Sequence, residues 1–149
     1  MLNVVLIEPE IPPNTGNIGR LCLATASRLH LVGPLGFSIE DKALRRAGLD
    51  YWKEVDCHRW PDFDNLRTAA GPDARFFFFT TKTLRPYWDA PFSSGDYLVF
   101  GRETRGLPEG LLAENAETCL TIPQKGARSL NLATAVGIAL YEAVRQIGL

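Results

Sequence analysis

Three short segments of this 149-residue chain gather glycines, amides and single charges between apolar runs. The first is Pro13-Asn14-Thr15-Gly16-Asn17-Ile18-Gly19-Arg20. Gly16 and Gly19 permit close backbone approach, Asn14 and Asn17 bring amide hydrogen bonds, and Arg20 brings a guanidinium. The second is Val99-Phe100-Gly101-Arg102-Glu103-Thr104-Arg105-Gly106-Leu107-Pro108, an apolar run closed by glycine and followed by a carboxylate between two arginines. The third runs from Ile122-Pro123 through Ser129-Leu130-Asn131-Leu132. A hydroxyl, two amides and a guanidinium suit the binding and orienting of a polar substrate. Each segment also has a purely structural reading. Asn14 caps a helix and Arg20 lies over the surface; Ser129 is a good N-cap, and Asn131 an awkward early-helix residue.

Other chemistries fail on spacing. No Gly-x-Gly-x-x-Gly occurs, so the dinucleotide fingerprint is missing. Gly101 and Gly106 have P-loop spacing, but Leu107-Pro108 stands where Lys-Ser/Thr is required. His30 and His58 are isolated and no cysteine pair has ligand spacing, which leaves no metal site. His30 reads as a packed or surface histidine, and no Gly-x-Ser-x-Gly marks a hydrolase.

The net charge is −1, yet the positive residues cluster: Lys42, Arg45 and Arg46; Lys82 and Arg85; Arg102 and Arg105; Lys125 and Arg128. This pattern is compatible with a compact RNA element and does not favour extended DNA. An apolar fraction of 46% supplies a core. No apolar run approaches the roughly 18 residues that span a bilayer. Three scattered cysteines suit a reducing cytosol, and the N-terminus lacks a signal-peptide pattern. A single cytoplasmic domain is expected.

The elements that must carry these segments alternate along the chain. Strands are expected at 2–7, 30–32, 55–58, 75–80, 97–100 and 119–122. Helices are expected at 14–27, 41–47 (stopped by Gly48), 62–70 and 111–114, with a long one over 129–146. Leu132, Val136, Ala139, Leu140, Ala143 and Val144 form the buried stripe of that last helix. Such alternation predicts an α/β fold, a mostly parallel sheet with helices on both faces.

In order and content the three segments resemble the motifs of the SpoU branch of the SPOUT methyltransferases. Asn14-x-Gly16-x-x-x-Arg20 matches the first motif, Phe100-Gly101-x-Glu103-x-x-Gly106-Leu107 the second, and Ile122-Pro123 through Ser129-Leu130-Asn131 the third. The stretches from Glu8 to Asn17 and from Leu44 to Tyr51 are similar to the minimal single-domain subgroup, which methylates the ribose of the tRNA wobble nucleotide. Arg102 stands where members often carry proline. The resemblance implies a trefoil knot over roughly 75–149. It also implies S-adenosylmethionine held by Phe79, Thr80, Gly101, Glu103, Ile122, Ser129 and Leu130. Arg20, Ser129 and Asn131 would serve the reaction, Arg20 as a proton acceptor or as a phosphate and ribose anchor. Asn14, Arg45, Arg46, Lys82, Arg105 and Arg128 would meet a tRNA anticodon stem-loop. Family members are homodimers, and Gly137 with Ala133, Ala135 and Ala139 would let another helix pack closely on the last one. Competing readings are a methyltransferase for another tRNA or rRNA ribose, and a non-catalytic RNA-binding protein of the same fold.

Overall fold

Six strands of two to five residues, most of them apolar, form in a computed structural model that describes residues 1–39, 42, 46 and 49–149. The strands are β1 (Asn3–Ile7), β2 (Arg28–Val32), β3 (Cys57–Trp60), β4 (Phe76–Phe79), β5 (Tyr97–Phe100) and β6 (Cys119–Leu120). They form one sheet in the order β3-β2-β1-β5-β4-β6, and every pairing is parallel. Among the described residues, the helices outside the 42–46 stretch are α1 (Pro12–Ala24), α2 (Phe63–Ala70), α3 (Glu109–Glu114) and α4 (Leu132–Ile147).

Alternate strand residues point to opposite faces, and each face is covered. Val4, Leu6, Leu29, Leu31, Leu98 and Phe100 pack on one side with Ile18 and Cys22 of α1 and with Val136, Ala139, Leu140 and Ala143 of α4. Val5, Ile7, Val32, Phe76, Phe78 and Val99 pack on the other with Leu66 of α2 and Leu111 and Leu112 of α3. The chain is α/β with helices on both faces, as its alternation predicts. β1 and β5 are neighbours, with Leu6 opposite Phe100, so the loops that leave them run side by side. In open parallel sheets, ligand sites lie at such carboxyl ends, where the strand order reverses.

Several boundaries differ from expectation for identifiable reasons. The helix expected at 14–27 starts at Pro12, and its cap position is Ile11 without a side-chain cap. Two prolines hold the first positions because they need no N–H partner there. The expected strand at 55–58 is displaced to Cys57–Trp60, since a 3₁₀ turn over Leu49–Glu54 draws Val55 onto the core. β6 is shorter than 119–122: Thr121 turns from β4 to bridge Pro86 instead. The long helix starts at Leu132 with Asn131 as its N-cap, the Asn131 side chain accepting from the Thr134 N–H at 3.1 Å. Ser129 therefore caps nothing. The expected helix at 41–47 and its Gly48 stop fall largely outside the described residues.

Candidate active site

Loops leaving β4, β5 and β6 enclose a cleft of about 240 Å³. Its floor is aromatic, with the Phe79 and Phe100 rings stacked at 4.6 Å between centroids. Ile122, Leu130 and Leu132 add apolar wall, and Thr80, Thr81, Gln124 and Ser129 add polar groups. Gly101 is obligatory there. A Cβ at that position would lie 2.1 Å from the Gly106 carbonyl carbon and 2.2 Å from the Leu107 nitrogen. The loop closes on itself because the Gly106 N–H donates to the Arg102 carbonyl at 2.9 Å, and Gly106 turns it at a φ of +68°. Glycine is the residue for both demands.

Every residue expected to hold the cofactor (Phe79, Thr80, Gly101, Glu103, Ile122, Ser129 and Leu130) lines this cleft. So do Lys82 and Arg105, expected to face RNA. Lys82 is also ion-paired with Glu109 at 3.1 Å. Sequence reasoning placed Leu132 in the buried stripe of the last helix and Ala135 among its helix-packing residues, and assigned neither to the cleft. Both sit on α4 three residues apart, the spacing that puts two side chains on one helix face.

The Glu103 carboxylate faces the start of α1. It accepts from the Glu10 N–H at 2.9 Å, the Ile11 N–H at 2.8 Å and the Asn14 side-chain amide at 3.3 Å. An anion at a helix N-terminus meets unpaired N–H groups and the positive end of the helix dipole. Glu103 is therefore the cap that α1 lacks locally. Asn14 is corrected as the N-cap of α1, a position that Ile11 holds. Asn14 is buried, donating to Glu103 while its oxygen accepts from the Asn131 amide at 3.1 Å. The amide of Asn131 thus donates to Asn14 while its oxygen caps α4.

The clamp is reciprocal. Glu10 accepts from the Thr104 hydroxyl at 2.8 Å and its N–H at 3.2 Å, and this hydrogen bonding lowers the Glu10 carboxyl pKa from its usual range. Arg102 donates to Glu8 at 2.8 Å. Glu8 has a φ of 52°, and Gly33 makes room for it, since a Cβ there would lie 2.9 Å from Glu8 Cγ. Three contacts thus lock the loop after β1 to the loop after β5.

Arg20 is exposed and does not line the cleft. It follows the clamped Asn14 by six residues, which on a helix means about 9 Å of rise and about 240° of rotation. Its guanidinium carbon lies 5.7 Å from the Tyr51 ring centroid. Arg46 is exposed, and Arg45 lies outside the described residues. Arg128 is exposed, its carbonyl accepting from the Gln124 amide. Gly137 faces Leu21 of the same chain's α1, 3.6 Å from where a Cβ would sit, and Ala139 is buried in its own core. Intrachain packing therefore uses these small residues.

His30 is a packed histidine. Its Nε2–H donates to Asn3 Oδ1 at 2.9 Å and its Nδ1 accepts from the Trp60 indole N–H at 3.0 Å. Burial, then the neighbouring His58 and Arg28, push its pKa down to about 4. Among the described residues no group of three His, Cys, Asp or Glu side chains could hold a metal ion. Among the same residues no helix is long and apolar enough to cross a membrane.

Comparison with known proteins gives this arrangement a context. The SpoU rRNA Methylase family matches residues 1–141. The tRNA (cytidine(34)-2'-O)-methyltransferase of Escherichia coli strain K12 is 50% identical over 150 residues, covering 99% of this chain and 95% of the relative. A structure described as giving insights into the 2-OH methylation of C/U34 on tRNA superposes with a TM-score of 0.93 at 48% identity, covering 98% and 95% of the two chains. The SpoU methyltransferase AviRb of Streptomyces viridochromogenes, solved with its cofactor AdoMet, gives a TM-score of 0.85 at 28% identity, covering 98% of this chain and 60% of AviRb.

Proposed function

The chain belongs to the SpoU rRNA Methylase family, and from that premise we propose that it methylates the ribose 2′-hydroxyl of the tRNA wobble nucleotide with S-adenosylmethionine. The observation that carries this reading is convergence. Residues drawn from three distant segments line one cleft, and that cleft is clamped to the helix bearing Arg20. The E. coli relative's name and 50% identity supply the substrate class.

The cleft fits the cofactor. An adenine needs an apolar slot with a few orienting polar groups, and Phe79, Phe100, Ile122 and Leu130 offer the slot beside the bare backbone of Gly101. When bound, S-adenosylmethionine supplies an electrophilic methyl group on a positively charged sulfur. An apolar, water-poor wall favours a step in which that charge disperses. Ser129, on the rim of the cleft, orients the ribose. Arg20 holds the phosphate and ribose in line, a role suited to a planar guanidinium that stays protonated in proteins.

Arg20 does not line the cleft of its own chain, and in this reading two copies complete the site, with Arg20 of one serving the cleft of the other. Exposed apolar side chains at Ile11 and Tyr141, on the first and last helices and their approach, support such a homodimer. In the same reading residues 1–149 make one cytoplasmic domain, and residues 75–149 thread the trefoil crossing. The anticodon stem-loop meets Arg46, Lys82, Arg105 and Arg128, with Arg45 beside them in sequence.

The test is transfer of tritiated methyl from S-adenosylmethionine to tRNA, with the product nucleoside mapped by mass spectrometry. Label on the ribose of nucleotide 34 is expected. Label at another tRNA or rRNA ribose would move the substrate, and RNA binding without any transfer would make the chain a non-catalytic binder.

A further inference from the structure

Gly19 and Arg20, adjacent on α1, each meet one residue of the 3₁₀ turn over Leu49–Glu54. At Gly19 the helix has no side chain, and the Trp52 ring occupies that space. A Cβ on Gly19 would sit 2.5 Å from Trp52 Cζ3 and 3.1 Å from its Cε3. Val55 closes the contact, 3.4 Å from the same point, and its N–H donates to the Trp52 carbonyl at 3.0 Å. Trp52 thereby fixes where the turn lies on the helix. One residue back, Tyr51 is delivered to the neighbouring helical position, its ring under the Arg20 guanidinium at 5.7 Å. That separation lies within the roughly 6 Å over which a cation is attracted to an aromatic face.

We propose that Tyr51 is a positioning residue for the methyl transfer, holding the Arg20 guanidinium over its ring by cation–π attraction so that the N–H donors are kept toward the substrate phosphate and ribose. The proposal rests on the role assigned to Arg20 above. An exposed arginine on a helix otherwise samples many rotamers, and the fork of donors is useful only when its plane is set. Trp52 and Gly19 serve the same end indirectly, by setting the height of the ring along α1.

The experiment measures single-turnover methyl transfer at saturating tRNA and S-adenosylmethionine, with cofactor affinity by calorimetry. Tyr51→Leu should slow transfer about 3- to 30-fold, the range of a cation–π contact of roughly 0.5–2 kcal/mol, with cofactor affinity unchanged. Tyr51→Phe, which keeps the ring, should stay within about 2-fold of the parent. In an Arg20→Ala background Tyr51→Leu should have no further effect, because its action runs through the missing guanidinium. Tyr51→His adds a readout that packing alone would not move. Its rate relative to the parent should fall as pH drops through about 6.5, where the imidazole gains a charge that repels Arg20. This variant also serves if Tyr51→Leu fails to fold. An unchanged rate in Tyr51→Leu overturns the proposal. So does an equal loss in both backgrounds, or a loss confined to the KM for tRNA, which would make Tyr51 a direct RNA contact. If Arg20→Ala alone keeps its saturated rate, the role of Arg20 fails, and that result is read independently of any Tyr51 variant.

Discussion

Replacing Glu103 with Gln changes one charge and almost no volume, which makes it a clean test of the clamp between the cofactor loop and α1. Three donors converge on the carboxylate, at 2.9, 2.8 and 3.3 Å. A glutamine offers one acceptor oxygen, and its amide N–H₂ would confront at least one backbone N–H that then has no partner. Leaving a buried polar group unpaired costs about 1–3 kcal/mol. Losing a negative charge at a helix N-terminus costs about 0.3–1 kcal/mol more. The Ile11 contact is exposed, so water replaces part of the loss, and a total near 2 kcal/mol is expected. For a chain of this size that lowers the thermal midpoint by about 4–8 °C. Calorimetric melting and S-adenosylmethionine titration on the same sample give the two needed numbers. The expected pair is a lower midpoint with cofactor affinity reduced less than about 5-fold, because the carboxylate is turned toward α1. An unchanged midpoint with affinity reduced more than about 30-fold would refute the clamp and make Glu103 a ligand of the cofactor.

Three further outcomes follow from the same contacts. Gly101→Ala puts a Cβ 2.1 Å from backbone carbon, so the 102–106 hairpin must open and calorimetry should detect no cofactor binding while the sheet still melts cooperatively. Arg20→Ala should leave cofactor affinity within about 2-fold of the parent and cut the single-turnover rate about 10²–10³-fold, as loss of a positioned donor does; Arg20→Lys should recover little, since an ammonium lacks the planar fork. His30 titrates near 4 in the fold, against 6.5 unperturbed, so the unfolded chain binds the extra proton first. Stability on the order of 3 kcal/mol is present above pH 6.5 and lost as pH falls toward 4. Urea midpoints between those values should show a steep acid limb that His30→Gln flattens, and equal slopes in both proteins would count against a neutral buried His30.

Local composition predicted the elements that bury themselves and missed the capping that depends on distant partners. Tyr97–Phe100 is matched residue for residue because a four-residue apolar run between turn formers has few alternatives. Asn14 and Ser129 are both favourable N-cap types, and neither caps its helix. The deciding partners lie 92 residues from Ile11, in Glu103, and 117 residues from Asn131, in Asn14. No window of a dozen residues contains that choice. The strand at Cys57–Trp60 was misplaced for a related reason: Trp52 seats on Gly19, a contact 33 positions apart, and the turn it fixes shifts the start of the strand.

The site itself was legible in its residue types and illegible in its division of labour. Gly101, Ile122 and Leu130 could be grouped from their motifs and Phe79 from the resemblance alone, and all four share one cleft. Glu103, Asn14 and Asn131 carry the same motif weight, yet their polar atoms are paired with one another and with helix N-termini. A carboxylate flanked by arginines looks like a ligand for a cation until its donors are known. Here they are two backbone N–H groups and the Asn14 amide, and the flanking Arg102 is itself held by Glu8. The consequence is mechanical. Displacing the 101–106 loop pulls on Glu103 and Glu10 together, and through them on the first turn of α1, six residues ahead of Arg20. The start of the helix that carries Arg20 is therefore held by the 101–106 loop and by no local capping residue.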